Sequence, residues 1–85
     1  MMSNIDYEIK EEVGILSRRG NITVEVNLVS WGGRDVTCDI RKWSNAYGVK
    51  VPQKGICLTP GELKQLRDLI PKVKTGNETD GEKYE

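Results

Sequence analysis

The chain contains no histidine. That absence excludes a Ser–His triad, a histidine general base and a His-ligated metal centre. Cysteine is scarce, with 2 in 85 residues. Two thiols cannot make a four-cysteine zinc site, and they are too few for a secreted disulfide framework. No apolar run approaches the ~18–20 residues of a membrane span, and no signal-peptide core follows the N-terminus. The expectation is a soluble cytoplasmic protein with no membrane partner, no metal and no cofactor. Hydrophobic residues are 36% of the 85, which leaves room for one small domain with a thin core. A core that thin calls for a staple or a partner subunit.

Acids and bases balance at 13 each, but they are unevenly placed. Residues 1–12 and 75–85 each carry a net charge of −3, while residues 13–74 carry +6, with eleven Lys and Arg against five acids. Acidic ends around a basic body point either to an anionic partner or simply to a solvated surface with charged tails.

Along the chain, residues 1–6 read as a frayed end. Tyr7, Ile9, Val13 and Ile15 lie at odd spacing within residues 7–17. That suits a strand with one buried face, although a weak helical turn also fits. Arg18, Arg19, Gly20 and Asn21 read as a turn. Residues 22–31 form the clearest strand, with Ile22, Val24, Val26 and Leu28 on one face and Thr23, Glu25 and Asn27 on the other. Gly32 and Gly33 supply a hairpin connection between Trp31 and Arg34. Residues 36–43 form a third strand, with Val36, Cys38 and Ile40 opposite Thr37, Asp39, Arg41 and Trp43. Residues 44–53 read as a loop and residues 54–58 as a short fourth strand.

Thr59, Pro60 and Glu62 open a helix as N-cap, N1 and N3, the pattern of a capping box. Leu63, Leu66, Leu69 and Ile70 follow as one apolar stripe, and Pro71 ends the helix. The domain therefore spans residues 7–74, and residues 75–85 read as a disordered acidic tail. The class is α+β: a four-stranded antiparallel sheet followed by one helix packed on one face.

One helix covers one face, so the other is expected to be open. It would carry Thr23, Glu25, Asn27, Trp31, Thr37, Asp39, Arg41 and Trp43. Trp31 and Trp43 offer stacking platforms, and Arg41 joins Arg18, Arg19, Arg34, Lys50 and Lys54 as phosphate ligands. That combination is what binding of an unpaired nucleic-acid strand requires. The competing reading packs each Trp in the core and pairs Arg41 with Asp39 or Glu25. Cys38 reads as a buried thiol, and nothing nearby activates a Cys38–Cys57 redox pair. The glycosylation patterns at Asn21 and Asn77 carry no weight without secretion, and Gly32-Gly33 is not a phosphate loop. No constellation supports an enzyme or a small-molecule substrate.

The residues Asp39-Ile40-Arg41-Lys42-Trp43 are more specific. So is the run Lys54-Gly55-Ile56-Cys57-Leu58-Thr59-Pro60-Gly61-Glu62-Leu63, followed by Leu66 and Ile70. Over residues 13–71 the chain resembles the single-stranded-DNA-binding domain of the transcriptional coactivator positive cofactor four, and its small bacterial relatives more closely. The resemblance implies four antiparallel strands and a helix, and a homodimer whose helices meet through Leu63, Leu66, Leu69 and Ile70. It implies sequence-tolerant binding of single-stranded DNA, serving transcription, replication or repair, with nucleoid association an open option. The family's DNA-binding Arg falls on Arg41 and its stacking aromatic on Trp43. Its loop lysines fall on Lys50 and Lys54, and its aromatic-basic turn falls loosely on Trp31 and Arg34. Cys57 stands where a small hydroxyl residue is common, and the loop after Trp43 is short. No Ser-rich region precedes the domain, so a kinase-controlled coactivator role is not implied. Single-stranded RNA binding, and a protein-interaction module using the Trp face, remain the alternatives.

Overall fold

The computed structural model describes residues 6–74. The expected disordered tail, and the expected frayed start apart from Asp6, lie outside the described residues. Four strands, β1 (Tyr7–Arg19), β2 (Ile22–Trp31), β3 (Thr37–Ser44) and β4 (Val51–Leu58), precede helix α1 (Pro60–Leu69). A 3-10 turn, Ala46–Gly48, joins β3 to β4, and another, Ile70–Lys72, follows α1. The sheet has the order β1-β2-β3-β4 with every neighbour antiparallel, as the α+β reading expected. Several boundaries differ. β3 runs one residue later than expected, at Thr37–Ser44, and α1 stops at Leu69, which leaves Ile70 and Pro71 in the 3-10 turn. Arg18 and Arg19 belong to β1, so the first turn shrinks to Gly20 and Asn21, with Gly20 at φ +57°. β4 starts at Val51, not at Lys54, and takes in Pro52. An edge strand tolerates that proline because no ladder is lost on its free side.

The sheet is strongly bent. β1 slips register three times, between Ile9 and Glu11, Glu12 and Gly14, and Ile15 and Ser17. A fourth slip lies between Arg41 and Trp43, against β4. Each bulge adds a residue to one strand and kinks it. The result can be measured from ring positions. Tyr7 pairs with Trp31 and Trp43 with Thr23, eight residues apart along β2. In a flat sheet they would stand about 26 Å apart. The Tyr7 and Trp43 ring centroids are 5.6 Å apart, so the sheet curls until the two ends of its inner face meet.

This curl corrects the expectation of an open polar face. Thr23, Glu25, Asn27, Asp39 and Trp43 were expected to be exposed. They are the buried polar residues and the largest buried side chain among the described residues. Trp43 and Asp39 are 0% exposed. The apolar face of β2 was expected to be the covered one, yet Ile22, Val24, Val26 and Leu28 are only half-buried. It forms the convex outside.

Helix α1 lies on that convex face, but only at one end. Thr59 Oγ1 accepts from the Glu62 N–H at 3.1 Å, and Glu62 Oε1 accepts from the Thr59 N–H at 2.9 Å, completing the capping box. Pro60 and Leu63 meet Leu28, Cys38 and Leu58 around a small hollow. Leu66 is half-buried, whereas Leu69 and Ile70 are more than half exposed. The convex face beyond the helix is likewise bare, with Ile56 56% exposed.

Candidate nucleic-acid interface

Two buried carboxylates organise the concave face. Asp39 sits at the centre of β3 with no solvent exposure. Arg41 Nε donates to its Oδ1 at 2.7 Å and Arg41 Nη2 to its Oδ2 at 2.8 Å. Trp31 Nε1 donates to Oδ2 at 3.1 Å, and Cys57 Sγ donates to the same oxygen at 3.3 Å. Arg41 Nη1 also donates to the Gln53 carbonyl at 2.9 Å. The guanidinium lies 4.6 Å from the Trp31 ring centre, a cation–π contact. Its hydrogen bonds to Asp39 raise the Arg41 pKa against the opposing effect of burial. Gly55, opposite Arg41, leaves room for this arrangement. A Cβ there would overlap Arg41 Cβ and lie 2.6 Å from Arg41 Cα and the Ile40 carbonyl oxygen.

Glu25, on β2, is 5% exposed. Thr23 Oγ1 donates to its Oε2 at 2.6 Å. Lys50 Nζ at 2.7 Å and Asn27 Nδ2 at 3.2 Å donate to its Oε1. Burial alone would push the carboxyl up. The donors from Lys50, Thr23 and Asn27 outweigh it and hold Glu25 below its ordinary pKa. Lys50 Nζ also sits 5.0 Å from the Trp43 ring centre. Trp43 is thus enclosed by Tyr7 and Lys50, and its Nε1 finds no acceptor among the described residues.

The concave face brings together Trp31, Arg41, Trp43 and Lys50 of the expected site. It also holds Arg18, whose register partner is Thr23. Trp31 is half-exposed, in contact with the Tyr7 ring at 5.2 Å, and lines a cleft of about 260 Å³ with Arg34, Asp35, Thr37 and Cys57. Arg34 and Lys54 are exposed, on the turn before β3 and on β4. Arg19 does not join them: it lines a convex hollow with Ser17, Ile22, Val24 and Lys42. Arg18, Arg34 and Lys54 make no ion pair with a described residue, whereas Arg41 and Lys50 are committed to Asp39 and Glu25. The sequence reading placed Tyr7 on a buried strand face but not in the site, and it set Glu25 and Asp39 on the open face; its competing reading, Arg41 paired with Asp39, is what the structure has. The run of polar side chains at Thr23, Glu25 and Asn27 was the available signal for a network.

Cys38 is buried, and burial pushes its thiol pKa up, with the nearby Asp39 charge adding to the rise. Cys57 is exposed. Cys38 pairs with Leu58 and Cys57 with Asp39, two consecutive rungs of the ladder, so the two thiols point to opposite faces and stay unbonded. Among the described residues no group of three His, Cys, Asp or Glu could hold a metal ion, and no helix is long and apolar enough to cross a membrane.

A single antiparallel sheet bent around a concave face of aromatic and basic side chains, with one capped helix after it on the convex side, defines an α+β domain built around a groove. Residues 21–69 match the family described as Transcriptional Coactivator p15 (PC4), and the chain belongs to it. The chain is also similar to an uncharacterized protein of Treponema pallidum (strain Nichols). The two are 40% identical over 65 residues, which cover 75% of this chain and 74% of that one.

Proposed function

We propose that the protein binds single-stranded DNA as a homodimer, without enzymatic activity, in transcription, replication or repair. The observation that carries this reading is Trp31: a half-exposed indole held by Asp39, backed by Arg41 and Tyr7, in a cleft beside Arg34, which makes no ion pair with a described residue. A fixed, partly exposed aromatic ring beside a cation can stack a base and hold its phosphate. The roles differ from those read in the sequence. Trp31 stacks the base. Arg18, Arg34 and Lys54 meet phosphates. Trp43, Arg41 and Lys50 hold the groove in shape. The apolar stripe of Leu63, Leu66, Leu69 and Ile70, with the bare convex face, supplies the contact between two chains.

The test is tryptophan fluorescence titrated with oligo-dT, oligo-U and duplex over a range of salt. Oligo-dT is expected to quench, with log K falling against log salt at a slope of about −2 per chain, for three phosphates neutralised. Quenching by oligo-U with none by oligo-dT replaces DNA with RNA. No response to either strand overturns the reading and favours a protein partner on the same face.

A further inference from the structure

Apart from the Trp31 cleft, the concave face holds a cavity of about 390 Å³. Glu12, Gly14, Ile15, Glu25, Asn27 and Lys50 line it. Its volume lies at the lower end of small-ligand sites, room for one planar base. A face buried for stability alone would be apolar, because a buried ion pair seldom stabilises more than well-packed hydrophobic side chains do. Here three successive inward positions of β2 are a hydroxyl, a carboxylate and an amide, and the ammonium of Lys50 closes over them.

The hydrogen-bonding capacity is not used up. A carboxylate offers about four lone-pair positions, and Glu25 accepts three hydrogen bonds. An ammonium has three N–H donors. Lys50 places one on Glu25 and faces the Trp43 ring. The carboxylate of Glu12, across the cavity on β1, is exposed. The wall therefore presents one cationic donor beside two anionic acceptors.

We propose that this cavity is a base-reading subsite that accepts guanine. The inference rests on the single-strand reading above. The pairing edge of guanine carries an acceptor, O6, next to two donors, N1–H and N2–H₂. Lys50 matches O6, and the carboxylates of Glu25 and Glu12 match the donors. Thymine and uracil set two carbonyl oxygens around a single N–H, which brings acceptors against carboxylates. Adenine and cytosine offer one amine next to an unprotonated ring nitrogen, so they satisfy one carboxylate and oppose the other. Ile15 supplies an apolar wall for the base plane. On this account the groove tolerates most sequences at Trp31 and reads one base at this second cavity.

The test compares an all-dT oligomer with the same oligomer carrying one central dG, dA or dC, bound by the unmodified protein. The dG oligomer is expected to bind about tenfold tighter than all-dT, the scale of a good bidentate base contact. The dA and dC oligomers are expected to stay near all-dT. Glu25→Gln, and Glu12→Gln at the exposed position, are each expected to bring the dG to dT ratio close to one. Each ratio is taken within one variant, so a general loss of affinity does not affect it. Equal binding of all four oligomers by the unmodified protein overturns the guanine assignment and leaves strand binding standing. A preference that survives in folded Glu12→Gln moves the subsite out of this cavity. Binding of none of the oligomers overturns the single-strand reading itself.

Discussion

Trp43 has no solvent exposure within one chain, so its removal leaves a hole and not merely a missing contact. Trp43→Ala is expected to cost about 3–5 kcal/mol of stability, as large-to-small changes of buried aromatics do. Trp31→Ala, at the half-exposed edge, should leave the melting temperature within a few degrees and weaken oligo-dT binding about ten- to a hundredfold. Thermal melts alongside titrations separate the two. A folded, non-binding Trp43→Ala would return that residue to the stacking role. Both Trp residues were legible as special in the sequence, on the polar side of adjacent strands. Which of them is covered was not legible, because alternation gives the side of the sheet and not its curvature. The same gap hid the use of Glu25 and Asp39: a carboxylate on a polar face looks solvated until the face closes over it.

At the scale of elements, the start of α1 was readable to the residue, while its end at Leu69 falls one residue short of the expected stripe. Thr59, Pro60 and Glu62 each have a backbone reason for their position, and the structure contains both hydrogen bonds of the cap. Thr59→Ala is expected to destabilise the protein by about 1 kcal/mol, measured by denaturant titration, since it leaves a helical N–H without its acceptor. β1 is the opposite case. Its inward residues, opposite the inward residues of β2, are Tyr7, Ile9, Glu12, Ile15 and Arg18. After Ile9 they recur every three residues, because each bulge inserts one. A period of three resembles neither a regular strand nor a clean helix, which is why this segment fitted both descriptions. Bulges leave no required residue type behind, so the local sequence could not announce them. Gly55 is readable only in hindsight: its need for space comes from Arg41 on the neighbouring strand.

At the scale of the molecule, one chain folds its polar face inward and leaves much of its apolar face outward. The helix covers one end of the convex side, and Ile56, Leu69 and Ile70 remain more than half exposed. A second copy placed across the helix stripe would cover this surface, the contact proposed above. The unmodified chain is expected to sediment at twice its 9.6 kDa at micromolar concentration. Leu66→Asp is expected to shift it to a monomer or unfold it. A stable monomer of the unmodified chain would contradict the contact and force another explanation for the bare leucines.

The strand order has a further consequence for how the chain acquires its shape. Every ladder joins strands that are neighbours in sequence, with a turn of two residues between the first pair. No long loop has to close before a pairing is rewarded, so the entropic barrier to each step is small. Each hairpin can zip as soon as its second strand is available, and a chain emerging from a ribosome can build the sheet in the order in which it is made. The carboxylate of Asp39 waits longest in that order. Its partners Trp31 and Arg41 arrive with β2 and β3, but Cys57 and the Gln53 carbonyl that fixes Arg41 arrive only with β4. The groove is therefore completed by the last strand to be synthesised, and a partly made chain holds paired strands before it holds a finished binding face.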